Sequence, residues 1–167
     1  FVGDTSVHEY PASEQMAEIA ISTARVVRLF GFEPKVAFVS HSTFGQPLTS
    51  RTKHIRKAVD ILKEKKVDFE FDGDMQPDVA LNPEYEELYP FSKIVGNANI
   101  LIMPGQHSAA ISYKMMKTLG DTKVIGPLLI GLGLPVEIAP LRSSTSEIIN
   151  LASIAAYSAD VIKYSKW

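Results

Sequence analysis

The chain has 167 residues, the size of one ordinary domain, and 46% of them are apolar, so a substantial core can form. A formal net charge of -2 gives no global pull toward nucleic acid or an anionic membrane surface. With no cysteine, disulfides, thiolate metal sites and a cysteine nucleophile are excluded, and no apolar run approaches the roughly 18 residues that span a bilayer. The opening Phe1-Val2-Gly3-Asp4 has neither an initiating methionine nor a basic-then-apolar leader, so the chain reads as a piece of something longer. The expected compartment is the cytoplasm, although a cysteine-free chain also suits secretion.

Residues 1–12 show no clear period and are expected to be a linker. Ser13 is a candidate N-cap, after which Met16, Ile19, Ala20, Thr23, Val27 and Phe30 recur at helical spacing up to Gly31. Lys35-Val-Ala-Phe-Val-Ser40 reads as a buried strand that ends in the polar loop His41-Ser-Thr-Phe-Gly-Gln-Pro47. From Thr49 or Ser50 a second helix follows, with Ile55, Ala58, Val59 and Leu62 inward and lysines and an arginine on other faces.

Val67, Phe69 and Phe71 alternate with Asp68, Glu70 and Asp72, the pattern of a half-exposed strand near a sheet edge. Pro77 suits a first helical position, and Tyr85 to Pro90 a short helical turn. Asn99-Ile-Leu-Ile-Met103 is another buried strand, followed by a helix from about Ser108 to Leu119. Val124-Ile125 and Leu128-Leu-Ile130 read as strand material bent at Gly126-Pro127, and Val136-Glu-Ile138 as a short strand. The last helix runs from Ser143 or Ser144 toward Lys163, with Ile148, Leu151, Ala152, Ala155 and Val161 inward. Strands alternating with helices predict an α/β fold of three layers, α/β/α, around a mainly parallel sheet.

Ligands of open α/β sheets sit beyond the carboxyl ends of the strands, which directs attention to the loop after the first buried strand. There Ser40, Ser42 and Thr43 offer hydroxyls and Gly45 lets backbone amides approach an anion, without the Gly-Lys-Ser/Thr ending of a P-loop. A plain polar connection is the competing reading. His8, His41, His54 and His107 match no metal-ligand spacing, and His41 and His107 fall in strand-end loops without an evident orienting partner. The acids between Asp68 and Glu87 read chiefly as solvation of an edge strand rather than as a cation site.

Lys35-Val-Ala-Phe-Val-Ser-His-Ser-Thr-Phe-Gly45, Asp72-Gly-Asp-Met-Gln76 and Ala98-Asn-Ile-Leu-Ile-Met-Pro104 come first in an ordered set. Ser108, Ile111-Ser-Tyr-Lys114, Gly126-Pro127, Gly131 and Pro135-Val136 complete it. Together they resemble the second half of the phosphate acetyltransferase and phosphate butyryltransferase family. That resemblance implies one part of a two-lobed domain, similar to the isocitrate and isopropylmalate dehydrogenases, that encloses a cleft for coenzyme A and acetyl phosphate. Residues 13–134 are expected to form the second lobe, and 135–167 a return strand and helix completing the first.

The family's catalytic Ser-Arg pair falls on Pro140 and Leu141, its acid on Glu147, and a further arginine on Thr118 beside Lys117. Arg142 is one step out of register. Thiolate attack on an acyl phosphate needs a cationic clamp, which proline and leucine do not supply. A kept scaffold with lost chemistry is similar to the C-terminal domain of large bacterial NADP-dependent malic enzymes, as are Val136-Glu-Ile-Ala-Pro-Leu141 and Glu147-Ile-Ile-Asn-Leu-Ala152. The resemblance implies acetyl-CoA as an allosteric effector and a homo-oligomer, dimeric through this lobe. It places the NADP, divalent cation (Mg or Mn) and malate sites in a catalytic domain outside this chain. The candidate ligand contacts, by analogy or loop position, are Ser42, Thr43, Gly45, Ser108, Tyr113 and Arg142. The alternatives are an active phosphate acetyltransferase using Arg142, or a ligand-free scaffold resting on apolar surface at Tyr157, Tyr164 and Trp167.

Overall fold

A computed structural model describes residues 1–4, 6–120 and 123–164, the last four of these by their backbone alone. Trp167 and the side chains of Val161 and Tyr164 therefore lie outside the described residues. The chain forms two compact units, Phe1–Ser112 and Tyr113–Trp167.

In the first unit, β1 (Val2–Gly3), β2 (Lys35–Val39), β3 (Glu70–Met75) and β4 (Ile100–Ile102) form a parallel sheet in the order β1-β4-β2-β3. The first twelve residues thus contribute a strand, with Val2 opposite Leu101 and Gly3 opposite Ile102. Parallel strands are buried on both faces, and the side chains of β2 divide accordingly. Val36 and Phe38 join α1 (Ser13–Leu29) and α2 (Ser50–Lys65) in the main core with Met16, Val27 and Leu62. Ala37 points the other way, toward Met75, Ala98 and Ala80 of α3 (Pro77–Leu81), while Val39 meets Met103 and Ala109. Three layers follow directly from that alternation.

The helix ends differ from the sequence reading at one point. Ser13 does not cap α1; the cap is Ala12, whose N–H donates to Gln15 Oε1 at 2.7 Å. Ser13 is buried and donates its hydroxyl proton to the His54 carbonyl at 2.8 Å, so a tertiary partner outcompetes the local one. Thr49 does cap α2, its Oγ1 accepting from the Thr52 N–H at 3.2 Å.

β3 is the edge strand that its alternation predicts, but it is not half-exposed, for Phe71 through Met75 are all buried. A short 3-10 turn (Pro83–Glu87) leads into a segment that covers its second face, where Ile94 and Ala98 pack beside Met75. The Lys93 N–H donates to Asp72 Oδ2 at 2.8 Å and the Val95 N–H to Glu70 Oε2 at 3.0 Å. These acids therefore bind backbone instead of solvating an edge.

α4 (Gln106–Leu119) crosses from the first unit into the second. In the second unit β5 (Leu128–Leu129) and β6 (Val136–Glu137) pair antiparallel, and Val124-Ile125 lies outside any strand. α5 (Thr145–Tyr164) buries Leu151 but leaves Ile148 and Ile149 exposed, because its apolar residues circle the helix and one neighbour cannot cover them all. No described helix is long and apolar enough to cross a membrane.

Candidate functional site

The strand-end loop begins where β2 and β3 lose register. Phe38 pairs with Gly73, yet Val39 pairs with Met75, so Asp74 is an extra residue on β3. Such a bulge turns the following side chains to the opposite face. Phe71 accordingly lies in the main core and Met75 in the other. The bulge depends on Gly73, whose φ is +151° and where a Cβ would stand 2.8 Å from both the Cβ and the carbonyl oxygen of Phe38. No side chain fits there.

Freed from the ladder, Asp74 points into the loop and is fully buried. Its Oδ2 accepts from Ser42 Oγ at 2.6 Å, and its carbonyl accepts from the Phe44 N–H at 2.6 Å. Ser42 is itself enclosed, so its only proton is committed to this carboxylate. Thr43 is also buried; its Oγ1 accepts from the Gln76 N–H at 3.2 Å, and its backbone exchanges hydrogen bonds with Gln46. Gly45 has φ +81°, a conformation that favours glycine, and Arg56 lies over it with Nη1 3.1 Å from where a Cβ would be. The same Nη1 is 3.9 Å from Asp74 Oδ1, a buried oxygen that has no hydrogen-bond donor.

An open groove of about 710 Å³ runs beside this cluster within the first unit. Thr43, Phe44, Gln46 and Arg56 form one end of it, and Tyr89 and Phe91 a wall. The rings of Phe44, Tyr89 and Phe91 contact one another, with centroids 4.8 to 6.1 Å apart. Sequence reasoning missed this wall, along with Asp74 and Arg56. Its Asp-Gly-Asp run was the available signal, since glycine between two acids inside a strand marks a bulge or a close backbone approach.

Ser108 is exposed on the first turn of α4. In the second unit Tyr113 is half-buried, with Lys114 Nζ 6.0 Å from its ring centroid, and Arg142 is exposed. Pro140 and Leu141 are exposed as well, Leu141 completely. Glu147 is a capping carboxylate: Oε2 accepts from the Ser144 N–H at 2.7 Å and Oε1 from Lys117 Nζ at 2.9 Å. The Lys117 hydrogen bond, then those from Ser144, holds its pKa down at about 2. A carboxylate so engaged is a poor proton acceptor.

His41 and His107 are exposed, and neither imidazole has a hydrogen-bond partner among the described residues. His54 instead ties the lead-in segment to α2, with Nε2 2.9 Å from the Pro11 carbonyl and its ring stacked on Tyr10 at 5.5 Å. Among the described residues no three His, Cys, Asp or Glu converge as a metal ion requires.

The NADP-dependent malic enzyme of Rhizobium meliloti (strain 1021) is 49% identical over 158 residues, covering 95% of this chain and 21% of that protein. The phosphate acetyltransferase of Bacillus subtilis (strain 168) is 36% identical over 154 residues, covering 92% of this chain and 48% of that protein. A solved phosphotransacetylase from Streptococcus pyogenes matches with a TM-score of 0.90 at 34% identity, over 96% of this chain and 49% of that one. The chain thus spans about a fifth of that malic enzyme and about half of these two phosphotransacetylases. The profile described as phosphate acetyl/butaryl transferase covers residues 1–156, and the chain belongs to that family.

Proposed function

We propose that this chain is the acetyl-CoA-sensing, oligomerising part of an NADP-dependent malic enzyme, which oxidatively decarboxylates malate to pyruvate at a site outside these residues. The observation that carries the reading is the 49% identity to a malic enzyme of which the chain spans only 21%. The chemistry agrees: exposed Pro140 and Leu141 stand where the family's serine and arginine would act, and neither can stabilise phosphoryl charge. NADP and a divalent cation belong to the distant catalytic domain of the same polypeptide, and the compartment is the cytoplasm.

Acetyl-CoA would act by binding one arrangement of the assembly better than another, because only differential affinity shifts such an equilibrium. In the first unit the contacts offered are the Ser42–Gly45 loop and Ser108; in the second they are Tyr113 and Arg142. Ser42 contributes through Asp74, by fixing the loop, since its proton is already donated. Residues 13–134 and 135–167 supply parts of two lobes, and the assembly is a dimer through this region. Calorimetry of the intact protein with acetyl-CoA, paired with a malate-dependent NADP reduction assay, tests this. Saturable binding together with inhibition is expected, and absence of both removes the reading.

A second reading is an active phosphate acetyltransferase with Arg142 as the replacement cation. The exposed guanidinium of Arg142 and the 36% identity to the Bacillus subtilis enzyme favour it. Robust formation of acetyl-CoA from acetyl phosphate and coenzyme A by the intact protein would establish it. A ligand-free scaffold is the outcome if the assembly forms but neither acetyl-CoA binding nor turnover is found.

A further inference from the structure

We propose that Arg56 and the aromatic wall of the groove form a binding site for a planar ring bearing a single oxyanion, with Asp74 as the residue that positions Arg56. Two unsatisfied groups meet here. The Arg56 guanidinium lies over Gly45 and lines the groove, and among the described residues none of its five N–H donors makes a hydrogen bond. Asp74 Oδ1 is buried without a donor only 3.9 Å from Nη1. That separation is an ion pair without a hydrogen bond, so the carboxylate steers the guanidinium and leaves its fork available.

A buried anion behind an arginine leaves the outer edge of the fork for carboxylate or phosphoryl oxygens, which it matches in a bidentate manner. Gly45 is part of the site because its φ of +81° favours glycine and a Cβ there would press on Arg56 Nη1 at 3.1 Å. Phe44, Tyr89 and Phe91 line the same groove with contacting rings, of which Phe91 is 64% exposed, and such a surface stacks a planar ring.

The remaining charges decide the number of oxyanions. Lys63 is bound to Asp60 at 2.7 Å, and Asp72 accepts two backbone N–H groups. Lys93 and Asp78 oppose one another in sign, and Asp74 balances Arg56. The groove therefore has no large positive field to collect a polyanion, and recognition rests on one arginine fork and the rings.

This inference does not rest on acetyl-CoA regulation, and its test reads binding directly. The intact protein is titrated by calorimetry with adenosine 5′-monophosphate, adenosine and inorganic phosphate. Adenosine 5′-monophosphate is expected to bind best; Arg56→Gln weakens it about tenfold or more while Arg56→Lys retains part of the affinity. Phe91→Ala is expected to weaken adenosine 5′-monophosphate and adenosine and to leave inorganic phosphate unchanged. Asp74→Asn is expected to lower nucleotide affinity about threefold to tenfold through Arg56, so that it adds little on top of Arg56→Gln. No binding of the nucleotide at millimolar concentration, or an Arg56→Gln protein that binds it as the unaltered one does, overturns the site. An effect of Asp74→Asn that persists undiminished beside Arg56→Gln overturns the positioning role.

Discussion

Two segments of this chain hold positions where the family's chemistry directs attention, and they differ in how firmly they are built. Ser42, Thr43 and Asp74 are buried and hydrogen-bonded about the bulge in β3, so this part of the loop belongs to the core. Pro140, Leu141 and Arg142, in contrast, are exposed, and no hydrogen bond among the described residues uses the Arg142 side chain. Substitution at this exposed turn should therefore cost little stability, whereas substitution at the strand end should disturb the sheet edge.

The largest effect is expected from Gly73→Ala. Its Cβ would meet the Cβ and carbonyl oxygen of Phe38 at 2.8 Å, at a φ of +151° that L-residues rarely adopt. Strain and overpacking together should cost about 3 kcal/mol or more in chemical denaturation. A cost below roughly 1 kcal/mol would show that the bulge can move, and the contrast between the two segments would collapse.

Next comes Asp74→Ala, which strands the buried Ser42 hydroxyl and should cost about 2 kcal/mol. Ser42→Ala alone should cost about 1 kcal/mol, since it leaves a buried carboxylate oxygen without its donor. The double variant should be less unstable than the sum by about 1 kcal/mol, the mark of a direct pair. Additive losses would mean that the two side chains stabilise the loop independently.

Much of the fold was legible because the apolar periods are strong. Met16, Ala20 and Val27 announced α1, and the run from Val36 to Val39 announced a strand buried on both faces. The candidate site was legible only in its position. Ser42, Thr43 and Gly45 were found by their place after a strand, but their roles were not, because the partners arrive from β3 and α2, 32 and 11 residues away from Ser42 and Gly45. Asp72 and Asp74 read as solvating charges since local composition cannot report that residues 92–98 cover that face. The Gly73 bulge hid the facing of Met75, as one extra residue turns it to the opposite side from Phe71.

The exposed segment should answer mutation differently. Leu141→Ala removes a fully exposed side chain and is expected to change stability by no more than about 0.5 kcal/mol. A loss well beyond that, in the intact assembly, would mean that Leu141 is covered by a partner and that the segment is an interface.

The smallest effect tests the Glu147 carboxylate, near that segment in sequence. Glu147 sits at about 2 because Lys117 and Ser144 donate to its anion. Lys117→Met removes the larger of those influences, so the Glu147 pKa, followed by carboxyl-carbon NMR, should rise from about 2 toward 4.5. It should stop short of that value, because the Ser144 N–H still donates at 2.7 Å. A pKa lowered in the folded state gives a contribution complete above the unfolded value of 4.5 and lost as pH falls toward 2. The variant should therefore lose little stability at neutral pH, where an exposed pair is weak, and its acid loss through this group should begin near the same 4.5, be smaller, and be complete at a higher pH than in the parent chain. An unchanged Glu147 titration would assign the depression to the helix cap alone, and α4 and α5 would then be independent in this part of the second unit.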